Sequence, residues 1–257
     1  MDLQAWVNTF RENPGGSGFI LDFDGTLAHI VTDPLAASIL PGAPGVLTAL
    51  RDQFALVALV SGRSAEDVAA KVGVPGLTYI GLYGGEEFVD GKTRAPDDAP
   101  TLRTKAGDLA LAAQALLDDN RLEGSNVEQK GMAVSVHFRN SLDPGAPALI
   151  TAWAEGAAPR HGFIAGVGRK VVELRPARFS KAFALERLVV DHGLNYLLVA
   201  GDDSSDVEAM ARAGEIAPNA LRVGVASPEA PPGFTEHTDL VVASCEEMLD
   251  LLKAFAE

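Results

Sequence analysis

The sequence predicts an α/β fold, a parallel sheet flanked by helices on both faces and interrupted by an inserted α+β unit. Three observations predict it. Short apolar runs alternate with helical patterns along most of the chain. The runs are continuous, as suits strands buried on both faces. The middle of the chain breaks this rhythm with the order helix–strand–strand, given twice.

The elements follow in order. Trp6 packs a first helix. Residues 18–24 (GFILDFD) read as a buried strand, and Pro41-Gly42 opens a helix to about Gln53. Residues 55–61 (ALVALVS) form the next strand. A helix over 65–72 follows, with Ser64 as N-cap and Asp67 at the capping-box position. Residues 78–82 are a third strand. Further on, 185–191 is helical, 196–202 (YLLVAGD) is a buried strand, 222–226 and 239–243 are short strands, and a last helix runs from about Glu246. The inserted unit has a helix over about 101–120, strands over 126–129 and 133–139, a helix over 144–155, and a hairpin of 163–167 and 170–174 around Gly168-Arg169. The predicted division is therefore a Rossmann-like core of residues 1–102 and 176–257, with an inserted α+β domain over 103–175.

Charge and composition exclude several classes. With 21 Lys and Arg against 35 Asp and Glu, the net charge of −14 argues against a nucleic-acid partner, which needs a basic face. No apolar run approaches the ~20 residues that cross a bilayer. Cys245 is the single cysteine, so no intrachain disulfide forms and a reducing compartment fits. The opening MDLQAWVNTFRENPGG has neither a basic leader nor a continuous apolar stretch. The expectation is a cytoplasmic monomer without a membrane or nucleic-acid partner.

Four strand-end or helix-start positions carry the chemistry. Asp22 and Asp24, in DFDGT, lie two apart at the end of a buried strand and face one way. Two such carboxylates repel unless a cation or a proton lies between them. Gly25 allows a sharp turn, and Thr26 offers a hydroxyl and an N–H to an anion. Ser61-Gly62-Arg63-Ser64 ends a second apolar strand and opens a helix, an arrangement that holds phosphate or merely caps the helix. Lys181 opens a helix against the helix dipole. GDDSSD at 201–206 follows another buried strand and also suits an acidic helix N-terminus. Ligands of open α/β sheets bind at the carboxyl ends of strands, so Asp22, Asp24 and Asp202 could give oxygens to one hard cation. Mg²⁺ suits a site with few protein oxygens that keeps waters and a substrate phosphate.

In this order and spacing, DFDGT at 22–26, Ser61, Lys181 and GDDSSD at 201–206, the sequence resembles the haloacid dehalogenase-like phosphatases over about residues 18–244. Within them it is similar to the trehalose-6-phosphate phosphatase family, through LVSGR (59–63), GLYGGEE (81–87), EQKGMAVSVHFRN (128–140) and VVELRP (171–176). Tyr83 stands where many members have His, and Ser205 where the acidic motif usually carries Thr. The resemblance implies that Asp22 is the nucleophile forming an aspartyl-phosphate and Asp24 the general acid and base. It implies Mg²⁺ held by the Asp22 carboxylate, the Asp24 carbonyl and Asp202. Thr26, Ser61 and Lys181 then bind phosphoryl oxygens, with Gly62 and Arg63 beside the substrate. Asp206 and Asp203 orient the metal's water or Lys181. The inserted unit becomes a cap whose Glu128, Lys130, His137, Arg139 and Glu173 meet sugar hydroxyls; cross-strand charge pairing is the plainer account of those residues. The implied substrate is a sugar phosphate, foremost trehalose 6-phosphate. Mannosyl-3-phosphoglycerate, a glucosylglycerol phosphate, a phospho-acceptor domain without turnover and a sugar-phosphate binding protein stay open as alternatives.

Overall fold

The computed structural model describes every residue except 1, 32, 169, 218, 228–230 and 232. In chain order the elements are α1 (Leu3–Glu12), β1 (Ser17–Leu21), α2 (Ala43–Gln53), β2 (Leu56–Val60), α3 (Ala65–Val72), β3 (Thr78–Gly81), β4 (Glu86–Val89), β5 (Lys92–Arg94), α4 (Ala99–Asp119), β6 (Asn126–Lys130), β7 (Ala133–His137), α5 (Ala146–Ala157), β8 (Phe163–Gly168), β9 (Val171–Pro176), α6 (Lys181–His192), β10 (Tyr196–Gly201), α7 (Ser204–Ile216), β11 (Asn219–Val225), β12 (Leu240–Val242) and α8 (Cys245–Ala256). They divide into two compact units, Met1–Arg94 with Ser180–Glu257, and Ala95–Phe179.

The first unit is built on an eight-stranded sheet ordered β12-β11-β10-β1-β2-β3-β4-β5. Its first six strands are parallel, and β4 and β5 add an antiparallel hairpin at one edge. Successive side chains of a strand point to opposite faces, and the core follows that rule. Phe19, Leu21, Val57, Leu59, Leu198 and Ala200 face one layer, with Phe10 of α1, Leu47 of α2, Val68 of α3 and Phe255 of α8. Ile20, Ala58, Val60, Leu197 and Val199 face the other, with Leu185 of α6 and Met210 of α7. Helices thus cover both faces, which is why the central strands read as unbroken apolar runs. Phe10 anchors the first layer, with its ring centroid 5.4 Å from Phe19 and 5.1 Å from Phe255.

The β4–β5 hairpin is absent from the sequence reading. Its signal is Asp90-Gly91, both with positive φ (51° and 75°), the pair favoured in a two-residue hairpin turn. The flanking EEFV and KTR are half-buried and exposed, so no apolar run marks them as strands.

The second unit is a four-stranded antiparallel sheet ordered β6-β7-β9-β8, on which α4 and α5 pack. Val134, Val136, Val172 and Leu174 are fully buried, as are Ala106 and Ala113 of α4 and Ile150 of α5. α4 starts at Ala99, before the helix expected from 101, because Pro100 is tolerated in a first turn that needs no N–H there. The unit runs from 95 to 179, against the 103 to 175 expected. Arg178 Nη1 donates to Asp98 Oδ2 (2.9 Å) and ties the unit's two chain ends together. Arg169, in the expected hairpin turn between β8 and β9, lies outside the described residues. No helix among the described residues is long and apolar enough to cross a membrane.

Candidate active site

Strand register assembles the site. Leu21 of β1 pairs with Ala200 of β10 on one side and Leu59 of β2 on the other. Asp22, Asp202 and Ser61 follow shortly after these residues, so they emerge together at the carboxyl edge of the sheet. β1 is also where the strand order reverses, the usual place for a ligand in an open α/β sheet. The ladder extends one step further, as Asp22 N–H donates to Ala200 O and Ser61 N–H to Ile80 O, both at 2.9 Å.

Lys181 enters from α6. Ser180 caps that helix by accepting from Phe183 N–H (3.0 Å), which sets Lys181 in the first turn. Its ammonium donates to Asp22 Oδ1 (2.6 Å) and to Asp206 Oδ1 (2.8 Å). All three side chains are 5% exposed or less. Asp206 Oδ2 accepts from the N–H groups of Asp202 (3.1 Å) and Asp203 (3.2 Å). Asp203 Oδ1 accepts from Ser205 and Asp206 N–H, which completes a capping box at the start of α7. At α3, where a box was expected, Ser64 Oγ does accept from Asp67 N–H (3.2 Å). The Asp67 carboxylate, however, accepts from Arg63 instead of returning to the cap.

Carboxylate oxygens of Asp22, Asp202 and Asp206 lie within 4.8 Å of one another. Asp22, Asp206 and Asp203 all act on the Lys181 ammonium, and Asp202 lies beside the first two. Burial pushes the Asp22 carboxyl up to about 7, against the pull of Lys181 and with the push of Asp202 and Asp203. Burial depresses Lys181, but Asp203, Asp206 and Asp22 outweigh it and hold the ammonium well above the ordinary lysine range. For Asp203 burial is again opposed, by Lys181 and by hydrogen bonds from Ser205 and Asp206, which bring it down to about 2. The Asp22 carboxyl is thus raised mainly by its burial, with the neighbouring acids adding to it. An anionic, all-oxygen donor set of this kind fits a hard divalent cation. Asp206, expected to act from outside the metal's ligands, belongs to this triad of side chains, and the side chain of Asp24 does not.

The Asp24 carboxylate is turned to Arg63, whose Nε donates to Oδ2 (2.6 Å) and Nη2 to Oδ1 (2.8 Å). Thr26 is fully buried, and its hydroxyl donates to Asp22 Oδ2 at 3.4 Å. Ser61 is buried, and its Oγ accepts from Arg63 N–H (3.2 Å). Gly62 lies under Tyr83, so that a Cβ on it would come 2.7 Å from the phenol carbon Cζ. Leu82 and Tyr83 both have positive φ (50° and 58°), a strained pair. Their N–H groups donate to Arg63 O (2.8 Å) and Ser61 O (3.0 Å), so this turn braces the Ser61–Arg63 turn.

The second unit gathers most of its expected residues on one face of its sheet. Glu128, Ser135 and Glu173 lie opposite one another across β6, β7 and β9. Lys130 Nζ and Ser135 Oγ both donate to Glu173 Oε1, at 3.3 and 3.1 Å. His137 Nε2 lies 2.9 Å from Glu128 Oε2, a bond that lowers the Glu128 carboxyl against its desolvation. Ser135 is missing from the sequence reading, although the two-residue alternation with Ala133 and His137 places it on this face. Arg139 lies beyond the end of the strand. β7 ends at His137, and Phe138 opens a turn by accepting from Ser141 N–H (3.2 Å), so the expected strand to 139 is two residues too long.

A six-strand parallel core with acids at the carboxyl ends of β1 and β10, and a lysine from the helix that precedes β10, defines a haloacid dehalogenase-like fold. Such a hydrolase from Bacteroides thetaiotaomicron superposes with a TM-score of 0.60 at 16% identity, over 92% of this chain and 98% of that one. Within that class the chain belongs to the trehalose-phosphatase family, whose pattern it matches over residues 20–227. It is 35% identical over 212 residues to the trehalose-phosphate phosphatase of Mycobacterium marinum, covering 79% of this chain and 52% of that protein. It is 40% identical over 202 residues to an uncharacterized glycosyl hydrolase of Mycobacterium tuberculosis, covering 74% of this chain and 15% of that one. The chain therefore spans about half the length of the mycobacterial phosphatase and a small part of the glycosyl hydrolase. The C-terminal domain of C. albicans trehalose-6-phosphate phosphatase has the same fold, with a TM-score of 0.82 at 19% identity over 100% of this chain and 97% of that one.

Proposed function

We propose that this protein is a Mg²⁺-dependent phosphatase that hydrolyses trehalose 6-phosphate to trehalose and phosphate through an aspartyl-phosphate. The observation that carries the reading is the buried Asp22 carboxylate, 2.6 Å from the Lys181 ammonium and grouped with Asp202 and Asp206. Family membership supports the substrate.

In this mechanism an Asp22 oxygen attacks phosphorus as the ester P–O bond breaks, and Asp24 gives its proton to the departing sugar oxygen. A water then attacks the same phosphorus and passes a proton to Asp24, and the bond to Asp22 breaks. Lys181, Ser61 and Thr26 bind the phosphoryl oxygens while charge moves between them. The Asp22 carboxylate, the Asp24 carbonyl and Asp202 would hold Mg²⁺, with Asp206 adjacent, and the bound ion supplies positive charge that offsets repulsion between Asp22 and the phosphoryl group. In the second unit Glu128 and Glu173 accept from sugar hydroxyls and Lys130 donates to them, with His137 and Arg139 alongside. Binding there fixes the substrate, so the unit acts as a cap. The single cysteine supports a cytoplasmic location.

The test is phosphate release from trehalose 6-phosphate, mannosyl-3-phosphoglycerate, glucosylglycerol phosphate and glucose 6-phosphate, with Mg²⁺ and then with EDTA. The expected result is the highest kcat/KM on trehalose 6-phosphate and none after chelation. Release from none of them sinks the enzyme reading, and preference for another ester moves the substrate.

A further inference from the structure

Arg63 touches more of the site than a substrate contact needs. Two of its N–H groups form a fork with both oxygens of Asp24, at 2.6 and 2.8 Å. A third, on Nη1, donates to Asp67 Oδ2 (3.0 Å). The guanidinium also lies over the Phe23 ring, 5.7 Å from its centroid. Its backbone is pinned as well, with its N–H donating to Ser61 Oγ (3.2 Å) and its carbonyl accepting from Leu82 N–H (2.8 Å). The side chain is only 13% exposed, against 35% for Asp24. Asp67 is fixed in turn, because Ser64 caps the first turn of α3 on its N–H. A rigid line thus runs from α3 through Asp67 and Arg63 to Asp24.

Two consequences follow. A guanidinium flanked by two carboxylates has little net positive charge left for a phosphate dianion. The fork also fixes the carboxylate plane of Asp24, while each oxygen keeps a lone pair beyond it. We propose that Arg63 is a positioning residue that aims the Asp24 carboxyl at the oxygen of the leaving alcohol, and that it is not a substrate contact. This rests on the phosphatase reading, in which the carboxyl O–H bond of Asp24 breaks as the departing oxygen gains the proton. A sugar alkoxide cannot leave without that proton, whereas 4-nitrophenolate can.

The experiment compares the unaltered enzyme, Arg63→Ala, Arg63→Lys and Asp67→Asn with Mg²⁺, by kcat and KM on trehalose 6-phosphate and by the single-turnover rate of 4-nitrophenolate release from 4-nitrophenyl phosphate, which reports formation of the aspartyl-phosphate alone. Arg63→Ala is expected to lose roughly 10²-fold in kcat on the sugar ester, the lower range of general acid catalysis, with KM little changed, and to leave the single-turnover release of 4-nitrophenolate nearly unaffected, since on that ester Asp24 is needed only for the later attack of water. Arg63→Lys keeps the charge but cannot form the fork, so it is expected to behave like Arg63→Ala. Asp67→Asn shows the same selectivity in milder form, and it carries the test with Arg63→Lys should Arg63→Ala fail to fold. A loss in the single-turnover release of 4-nitrophenolate equal to the loss in kcat on the sugar ester, a rise in KM on the sugar ester without a fall in kcat, or rescue by lysine would overturn the positioning role alone. No release from either ester by the unaltered enzyme overturns the phosphatase reading and this role with it.

Discussion

Gly25 and Asp202 come so close that a Cβ on Gly25 would lie 2.1 Å from Asp202 Oδ2. Gly25 has a φ of +84°, which an L side chain rarely adopts. Both facts fix the residue type, one through backbone strain and the other through the carboxylate behind it. Gly25→Ala is expected to cost at least the ~1–2 kcal/mol of a left-handed backbone and to displace Asp202. A shift of that carboxylate by about 1 Å should lower kcat by roughly 10²-fold. Thermal melting and phosphate release check the two effects separately. Full activity in a destabilised variant would show that turnover does not need Asp202 where it stands.

The surplus of acids around Lys181 predicts a metal effect that needs no turnover. A cation bound only by the folded state should raise Tm, by about 2.7 kcal/mol of stability at a hundred times Kd. Mg²⁺ titrated against the unaltered protein is expected to show this rise, and Asp202→Asn should lose most of it. Asp22→Asn, which also removes a negative charge, should lower the response and abolish phosphate release. An unchanged Tm with Mg²⁺ in the unaltered protein would count against a divalent ion in this cluster.

Much of this cluster can be read from sequence because each member ends an apolar run or starts a helix. DFDGT, Ser61 and GDDSSD are strand-end residues by position alone, and parallel pairing brings such ends together. What cannot be read is what the side chains do across long separations. Asp24 and Arg63 are 39 residues apart, and no local pattern reveals a fork between them. The pairing of Asp206 with Lys181 likewise depends on how α6 and α7 start beside each other. The β4–β5 hairpin escapes for a different reason. Its turn signal is strong, but its strands are too polar and short to stand out beside five-residue apolar runs.

Tyr79 gives a pH dependence with a definite sign. Its hydroxyl donates to Val74 O (2.6 Å) in a buried position, and burial raises it to about 12. A phenol whose folded pKa exceeds its unfolded value of about 10 adds stability that is intact below pH 10. That stability is lost as pH rises toward 12, a loss of roughly 2–3 kcal/mol at most. Denaturant midpoints measured from pH 9 to 11.5 should fall faster for the unaltered protein than for Tyr79→Phe. Parallel curves would place the alkaline loss elsewhere.

The Lys130–Glu173–Ser135 group distinguishes sugar recognition from ordinary cross-strand pairing. Ion pairs on a solvated sheet are worth about 0–1 kcal/mol, so a purely structural role predicts small Tm shifts and equal kinetics on all esters. Here Lys130 and Glu173 are less than a fifth exposed, and Ser135 adds a second donor to the same Glu173 oxygen. Lys130→Ala and Glu173→Gln are expected to lower kcat/KM on trehalose 6-phosphate by roughly 10²-fold, as for a site left with unpaired polar groups. On 4-nitrophenyl phosphate, which has no sugar, they should change little. Ser135→Ala should cost less on trehalose 6-phosphate, because Lys130 still orients Glu173. Equal losses on both esters would return these residues to sheet stability and remove the cap from substrate choice.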